Sequence, residues 1–584
     1  MTAKSSASSA RLPWSLIPLV IVITGVLLTL WLLSFSQNGV VFSGDGGLKA
    51  LVAQQLAQQI KTASFPLDVS LSLPAADWVK NVWQAGLYPF SPPFVYEVGT
   101  QNFITFPFTF PLISAPFYAL FGDRGLYVIP LIALWLTWFR FWQIGLRAGW
   151  GMISLCLGLI ALIFASPLSL YGGMYWEHTL AVALAFWGVS GLMFPNRKTL
   201  STRGIISLPK SQAFISGILI GLSVWFRPEF LCLVAAVSLL ALIGWILPKW
   251  RLAPKFTLAK ALILIGSMCC TVGLFFAMNY AVYGHPLGIH AIQIVEESSL
   301  SAQVTQAQAS YGQMWSALQE YFPMVWVVIL AALFGPELKK STVKTSPLNK
   351  KAIAAEKGTY FERVGIRKTL ASNFTPSRFV IALSLLFALS VPLIVPPGAG
   401  GKQWGPRFYL ILVPLLSLTL SEQLRAGFLN QWGRRLLILG TVIALILGIQ
   451  LNINNGVFSR YKDGSNTSLM ANYDPIAPAI AGLKQESLPW ISMSNEFVAQ
   501  QLWSALPSKT FFKGETVDQV KQLATALAEQ NQNEFLYVCY PHRECTVPET
   551  PESEWALDNG QGTLNMTYLN DYGKYPVYKV EIAS

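Results

Sequence analysis

Eleven stretches of this chain are apolar over roughly the length a helix needs to cross a bilayer, about 20 residues. They lie near 14–35, 125–144, 150–170, 179–194, 212–226, 229–247, 261–281, 323–336, 379–395, 408–421 and 436–452. Backbone N–H and C=O groups find no water in hydrocarbon, so stretches of this kind can cross only as helices. Composition agrees: 12% of the 584 residues are charged and 53% are hydrophobic, against about 25% and about 45–50% in soluble domains. A net charge of +12 would suit nucleic acid if it gathered on one face. Here Lys and Arg stand in blocks between apolar runs, and nucleic acid is excluded as a partner.

Those blocks set orientation, because loops rich in Lys and Arg stay on the cytoplasmic side. They are Lys4 and Arg11, Arg140 and Arg147, Arg197 to Lys210, Lys249 to Lys260, ten residues of the 337–378 loop, and Arg425 with Arg434 and Arg435. Every second loop is basic, which puts the N-terminus inside and everything after Ile453 outside. The first run, Trp14 to Phe35, is longer than a signal-peptide core of about 7–15 residues and reads as a retained helix. The apolar segment 103–121 carries Pro107, Pro111 and Pro116. Counting it as a span would invert every later loop, so it reads as an interfacial or re-entrant element. The outer face then owns a first loop at 36–124, a turn at 171–178, loops at 282–322 and 396–407, and the tail. All four histidines, His178, His285, His290 and His542, fall there.

The expected fold is a polytopic α-helical membrane protein of about eleven spans, residues 1–455, with a small soluble α/β domain at 456–584 on the outer face. In the tail, strands are expected at 488–493, 509–512 and 534–540, helices at 495–505 and 516–530, and a hairpin at 562–582. Cys539 and Cys545 bracket a short polar stretch; a disulfide and a free or metal-binding pair are both open. The other cysteines, Cys156, Cys232, Cys269 and Cys270, read as core residues. No nucleophile or phosphate-loop motif marks the tail, which suits a recognition or structural role.

Four outer-face motifs could carry chemistry. Ser43-Gly-Asp45-Gly-Gly-Leu-Lys49 follows the first span, and its glycines let Asp45 approach a ligand closely. Asp45 is either a general base toward a hydroxyl or the cap of the helix that follows. Glu177 and His178 are ionisable groups in a very apolar stretch, the kind that marks function in membranes; an interfacial polar cap is the alternative. Phe226-Arg227-Pro-Glu229 offers either an anion site or a self-neutralising pair. Pro397 to Tyr409 combines glycine N–H groups with Lys402 and Arg407, which suits phosphate. His285 and His290 could share a metal only if the turn between them allows it.

With these residues in view, the chain resembles the GT-C superfamily of membrane glycosyltransferases, which includes protein O-mannosyltransferases and lipid A aminoarabinose transferases. The resemblance rests on Gly44-Asp45-Gly46, the stretch Phe106-Pro107 to Phe121-Gly122, Arg227-Pro228-Glu229 and Trp404-Gly405-Pro406-Arg407-Phe408, over roughly residues 10–455. It implies hexosyl or pentosyl transfer from a polyprenyl-phosphate-linked sugar to an acceptor lipid, glycan or protein at the outer (periplasmic or luminal) face of the plasma, or inner, membrane. Asp45 would deprotonate the acceptor, and Arg407, Lys402 and Arg227 would hold the donor phosphate. Lys49, Glu97, Glu177, His178, Glu229, His285 and Trp404 are further candidates for substrate contact. Many members carry an acidic pair in the first loop, whereas Gly46 follows Asp45 here. A second carboxylate would come from Glu97, Asp77 or Glu177. No cofactor is implied beyond the lipid-linked donor, with a divalent cation left open. The alternative is a transporter or flippase for a lipid-linked anion, although the two halves show no internal repeat.

Overall fold

The structure, a computed structural model, describes residues 16–36, 39–194, 208–250, 252–289, 300–334, 376–395, 403–426, 431–459, 462–463, 466–543, 545, 555–556 and 562–583. Each of the eleven apolar stretches contains a helix: Ile17–Leu33, Val128–Ala148, Met152–Ile163, His178–Met193, Lys210–Val224, Leu231–Ile246, Leu258–Tyr283, Met324–Phe334, Pro376–Ser390, Leu412–Ala426 and Gln431–Ile449. Among the described residues, five helical stretches are long and apolar enough to cross a membrane by themselves: Thr109–Ala148, Pro228–Ile246, Leu258–Tyr283, Pro376–Leu393 and Trp432–Phe458. Leu136, Leu262, Leu385 and Ile446 are exposed on these helices, an arrangement suited to lipid. The protein is a mostly helical membrane protein.

The helices share a polarity. Lys210–Val224 starts at a lysine and ends just before Arg227; Pro228–Ile246 runs back toward Lys249. Leu412–Ala426 begins five residues after Arg407 and carries Arg425 in its last turn, about 20 Å from its start at 1.5 Å per residue. At that far end Trp150 Nε1 donates to Glu422 at 2.6 Å, and Arg425 pairs with the same carboxylate at 2.7 Å. The outer-face motifs therefore collect at one end of the bundle and the described basic helix ends at the other.

Two regions depart from the sequence expectation. Segment 103–121 is divided: Gln101–Ile104 pairs antiparallel with Val95–Val98, and Thr109–Phe121 is a helix. That helix packs on Gly44–Lys61 and breaks at Gly122, whose φ is +62°, before Val128–Ala148 continues. Within the stretch expected as an outer loop, 282–322, lies a 22-residue helix, Leu300–Tyr321. It buries Ala307, Ser310, Met314, Leu318 and Tyr321, the three- and four-residue spacing of one helix face. It then folds back on Met324–Leu333 at 99°. Its polar face keeps it below the apolarity of a span, which is why it read as a loop.

The tail contains a six-stranded mixed sheet in the order 510–513, 490–493, 534–538, 575–583, 563–572, 555–556. The first three strands are parallel and the remaining pairs antiparallel. Thr516 caps the helix Val517–Ala528, its hydroxyl accepting from Gln519 N–H. That helix seals one sheet face together with Val79, Trp83 and Leu87 of the first loop. The cysteine pair is bonded, Cys539 to Cys545. Of the remaining cysteines only Cys232 is buried, while Cys269 and Cys270 are exposed on the apolar helix Leu258–Tyr283.

Candidate functional site

The helix Gly44–Lys61 begins from Ser43, which is extended at φ −144°, ψ 164°. Ser43, not Asp45, occupies the cap position, and its hydroxyl accepts from Trp176 Nε1 at 3.2 Å. Asp45 sits inside the first turn with its carboxylate partly exposed, where the helix dipole favours negative charge. One turn on, Lys49 is buried over the Phe106 ring, 4.3 Å from its centroid, and pairs with Glu177 at 2.6 Å. Burial pulls the Lys49 ammonium below its ordinary range, while Glu177 and Asp45 pull it back up.

Glu177 ends the tight turn after Leu168–Gly172 and bridges two cations. One oxygen meets Lys49; the other takes Arg227 Nη1 at 3.2 Å. Arg227 spends its remaining nitrogens on Glu229, Nε at 2.6 Å and Nη2 at 2.5 Å. Lys49, Glu177, Arg227 and Glu229 thus form a closed, neutral chain of buried charge. Each charge is paired, as burial demands.

Arg407 is different. Its Nη1 lies 3.9 Å from Asp45, a loose ion pair, and its Nε is buried without a partner. Arg407 and Arg227 flank the Phe408 ring at 4.8 and 5.3 Å. A recess lined by Gln313, Met314, Ala317, Gln403, Pro406 and Phe408 opens onto Arg407. The loop carrying it is held from behind. Gly405 takes φ +72°, and a Cβ there would press on Pro167 and Tyr321 at 3.1 Å. Tyr171 donates to the Trp404 carbonyl at 3.0 Å, and Trp404 Nε1 donates to Asn452 Oδ1 at 3.1 Å. Asn452 in turn donates to the carbonyls of Tyr321 and Gly448, both at 2.9 Å. Trp404 is thereby built into the wall of the site. His178 stacks between Tyr171 and Trp176 at 5.1 and 5.0 Å, buried, with neither ring nitrogen partnered.

No protein-family model matches the sequence, and no curated protein matches it either. Solved structures do match. ArnT from Cupriavidus metallidurans bound to undecaprenyl phosphate aligns at TM-score 0.50 and 11% identity, over 96% of this chain and 97% of that one. The chain has an ArnT-like fold. The apo state of the same ArnT gives the same figures. The oligosaccharyltransferase AglB from Archaeoglobus fulgidus, in complex with an inhibitory peptide and a dolichol-phosphate, aligns at TM-score 0.44 and 10% identity, over 89% of this chain and 69% of that one. The ArnT-like fold covers the tail as well as the helical part, since the alignment spans 96% of this chain.

Within the ArnT-like frame, Asp45, Lys49, Glu177, His178, Arg227, Glu229, Trp404 and Arg407 come together, although they derive from four separate segments. Glu97 does not join them: it is exposed on a short strand opposite Asn102. Asp77 is exposed and pairs with Lys80 at 3.1 Å. His285 lies in the turn after Leu258–Tyr283, where its Nδ1 accepts from Leu287 N–H at 3.2 Å. The carboxylates beside Asp45's cluster are Glu177 and Glu229, both committed to cations. Lys402 and His290 lie outside the described residues. Among the described residues no three His, Cys, Asp or Glu side chains group as a metal site. Sequence reasoning passed over Asn452, which clamps the Arg407 loop. Its signal was available: an asparagine in a strongly apolar run is expensive in a membrane.

Proposed function

We propose that this protein is a glycosyltransferase that moves a hexosyl or pentosyl unit from a polyprenyl-phosphate-linked donor to an acceptor hydroxyl. In this reading the site faces the outer side of the plasma (inner) membrane, which the Lys- and Arg-rich helix ends at the opposite end of the bundle support. One observation carries the reading. Asp45, partly exposed on a helix end, faces Arg407, whose guanidinium keeps an unpartnered donor. A base beside an anion site in an ArnT-like fold is the arrangement this reading needs, and the ArnT structure of that fold was solved with undecaprenyl phosphate.

In this mechanism the acceptor oxygen attacks the anomeric carbon as its proton passes to Asp45. The bond from that carbon to the phosphate oxygen breaks, and its electrons leave with the lipid phosphate. Arg407 holds the phosphate through its open donors and stabilises the charge that develops on departure; Lys402, five residues earlier in the sequence, would add a second positive charge. Arg227 has all three of its nitrogens engaged by Glu177 and Glu229, so its part is to fix those two carboxylates and, through Phe408, the position of Arg407. His178, with two unsatisfied nitrogens, offers a neutral hydrogen-bonding group to the sugar.

The test is Asp45→Asn, which keeps size and removes the base. Sugar transfer from a polyprenyl-phosphate donor is expected to fall by about 10²–10⁴-fold, while binding of undecaprenyl phosphate stays near wild type. Full turnover in the purified, folded variant would end the assignment of Asp45 as base.

A further inference from the structure

The tail does more than lie beside the site; it is packed into the turn that carries Asp45. Gln500, from the tail helix Phe497–Gln501, is buried and rests against both Gly44 and Gly47. A Cβ on Gly47 would overlap the Gln500 main-chain carbonyl, and one on Gly44 would overlap its side-chain amide. These two glycines flank Asp45 on one face of the helix, so the approach exists only because both lack side chains. Neither atom of the Gln500 amide has a hydrogen-bond partner.

Three other tail side chains hold backbone carbonyls on either side of the site. Trp503 Nε1 donates to the Gly39 carbonyl at 2.7 Å, and Asn472 Nδ2 donates to that of Phe42. Tyr473 donates to the Gly173 carbonyl at 2.5 Å, four residues before Glu177. All three donors are buried. The segments that deliver Asp45 and Glu177 thus have their carbonyls satisfied by the tail.

We propose that Gln500, with Trp503 and Tyr473, is the positioning element for Asp45, so that transfer requires the tail docked on the first loop. The proposal rests on the reading of Asp45 as base. It assigns the tail to the acceptor side, because Arg407 and its recess are built from other segments. Misplacing a reacting group by about 1 Å costs on the order of 10²-fold in rate, so loosening this contact reads as lost turnover with donor binding intact.

The experiment uses the full-length protein in detergent and Gly47→Ala. Alanine favours a helix over glycine, so the helix itself gains while the tail is pushed off. Gly266→Ala, where an added Cβ meets nothing within 4 Å, is the control. Expected in Gly47→Ala are about tenfold lower hydrogen-exchange protection over 39–49 and 497–503, roughly 10²-fold lower kcat, and unchanged donor KM. The control shows none of these. Trp503→Phe, which removes the N–H to Gly39 and part of the buried indole, gives the same changes should Gly47→Ala not fold. Unchanged protection, or loosened protection with full turnover, overturns the proposal. A wild-type protein that transfers no sugar overturns the glycosyltransferase reading instead, and the two failures are distinguishable.

Discussion

Glu177→Gln is the sharpest test of the buried charge chain. The substitution keeps shape and one acceptor but removes the charge that faces Lys49 at 2.6 Å and Arg227 at 3.2 Å, with side chains of Lys49 and Glu177 only 3% and 2% exposed. Breaking a buried pair by removing one partner costs about 3–5 kcal/mol, because the other charge is left uncompensated. Arg227 retains Glu229 at 2.5 Å, so the loss falls mainly on Lys49 and the lower end, about 3 kcal/mol, is expected. Lys49→Met should be milder, about 1–3 kcal/mol, since Glu177 keeps Arg227 and the methionine is a fair apolar substitute. The double variant should lose less than the sum of the two, with a coupling of about 2 kcal/mol. Denaturant titrations of the four proteins in one detergent give these values from midpoint shifts at a common slope. A Glu177→Gln protein within about 0.5 kcal/mol of wild type, or an additive cycle, would refute the chain of paired charges.

Arg407→Ala should weaken undecaprenyl phosphate binding by roughly 10–100-fold, the worth of a charged hydrogen bond, which calorimetry in detergent reads directly. Burial pushes the Glu496 carboxyl, which accepts from Ser91 N–H and Oγ, from its ordinary value of 4.5 up to about 7. Between those values the folded protein binds the proton more tightly than the unfolded chain. Stability should therefore fall as pH rises from 4.5 to about 7 and be flat above, by about 2 kcal/mol after allowance for partial exposure. Thermal unfolding across that range should show the slope, and Glu496→Gln should flatten it. Cys539 and Cys545 should resist alkylation in the folded protein until reduced; immediate labelling of both would rule out the bond.

The sequence alone revealed much of the fold because a bilayer leaves so few options. Apolar runs must be helices there, and each of the eleven stretches contains one. Tail strands and helices were equally legible, since alternation and the cap at Thr516 are local signals. The helix Leu300–Tyr321 was not, because a half-polar helix lacks the apolar length that marks a span. Nor was the division of 103–121, which depends on pairing Gln101–Ile104 with a strand that sequence patterning left unassigned.

The site divides along the same line. Residue types and local spacing were enough to single out Asp45, Glu177, Arg227 and Arg407, since charge in an apolar chain is conspicuous. Whether a cation is free or committed is a matter of partners far away in the chain. Glu177 and Glu229 engage all three nitrogens of Arg227, while among the described residues the one carboxylate paired with Arg407 is Asp45, at 3.9 Å. The same holds for Gln500, an ordinary polar residue in a soluble-looking tail until the fold sets it against Gly44 and Gly47. Tertiary structure alone decides such contacts, because a side chain's chemistry is written in the sequence but its partner is chosen by packing.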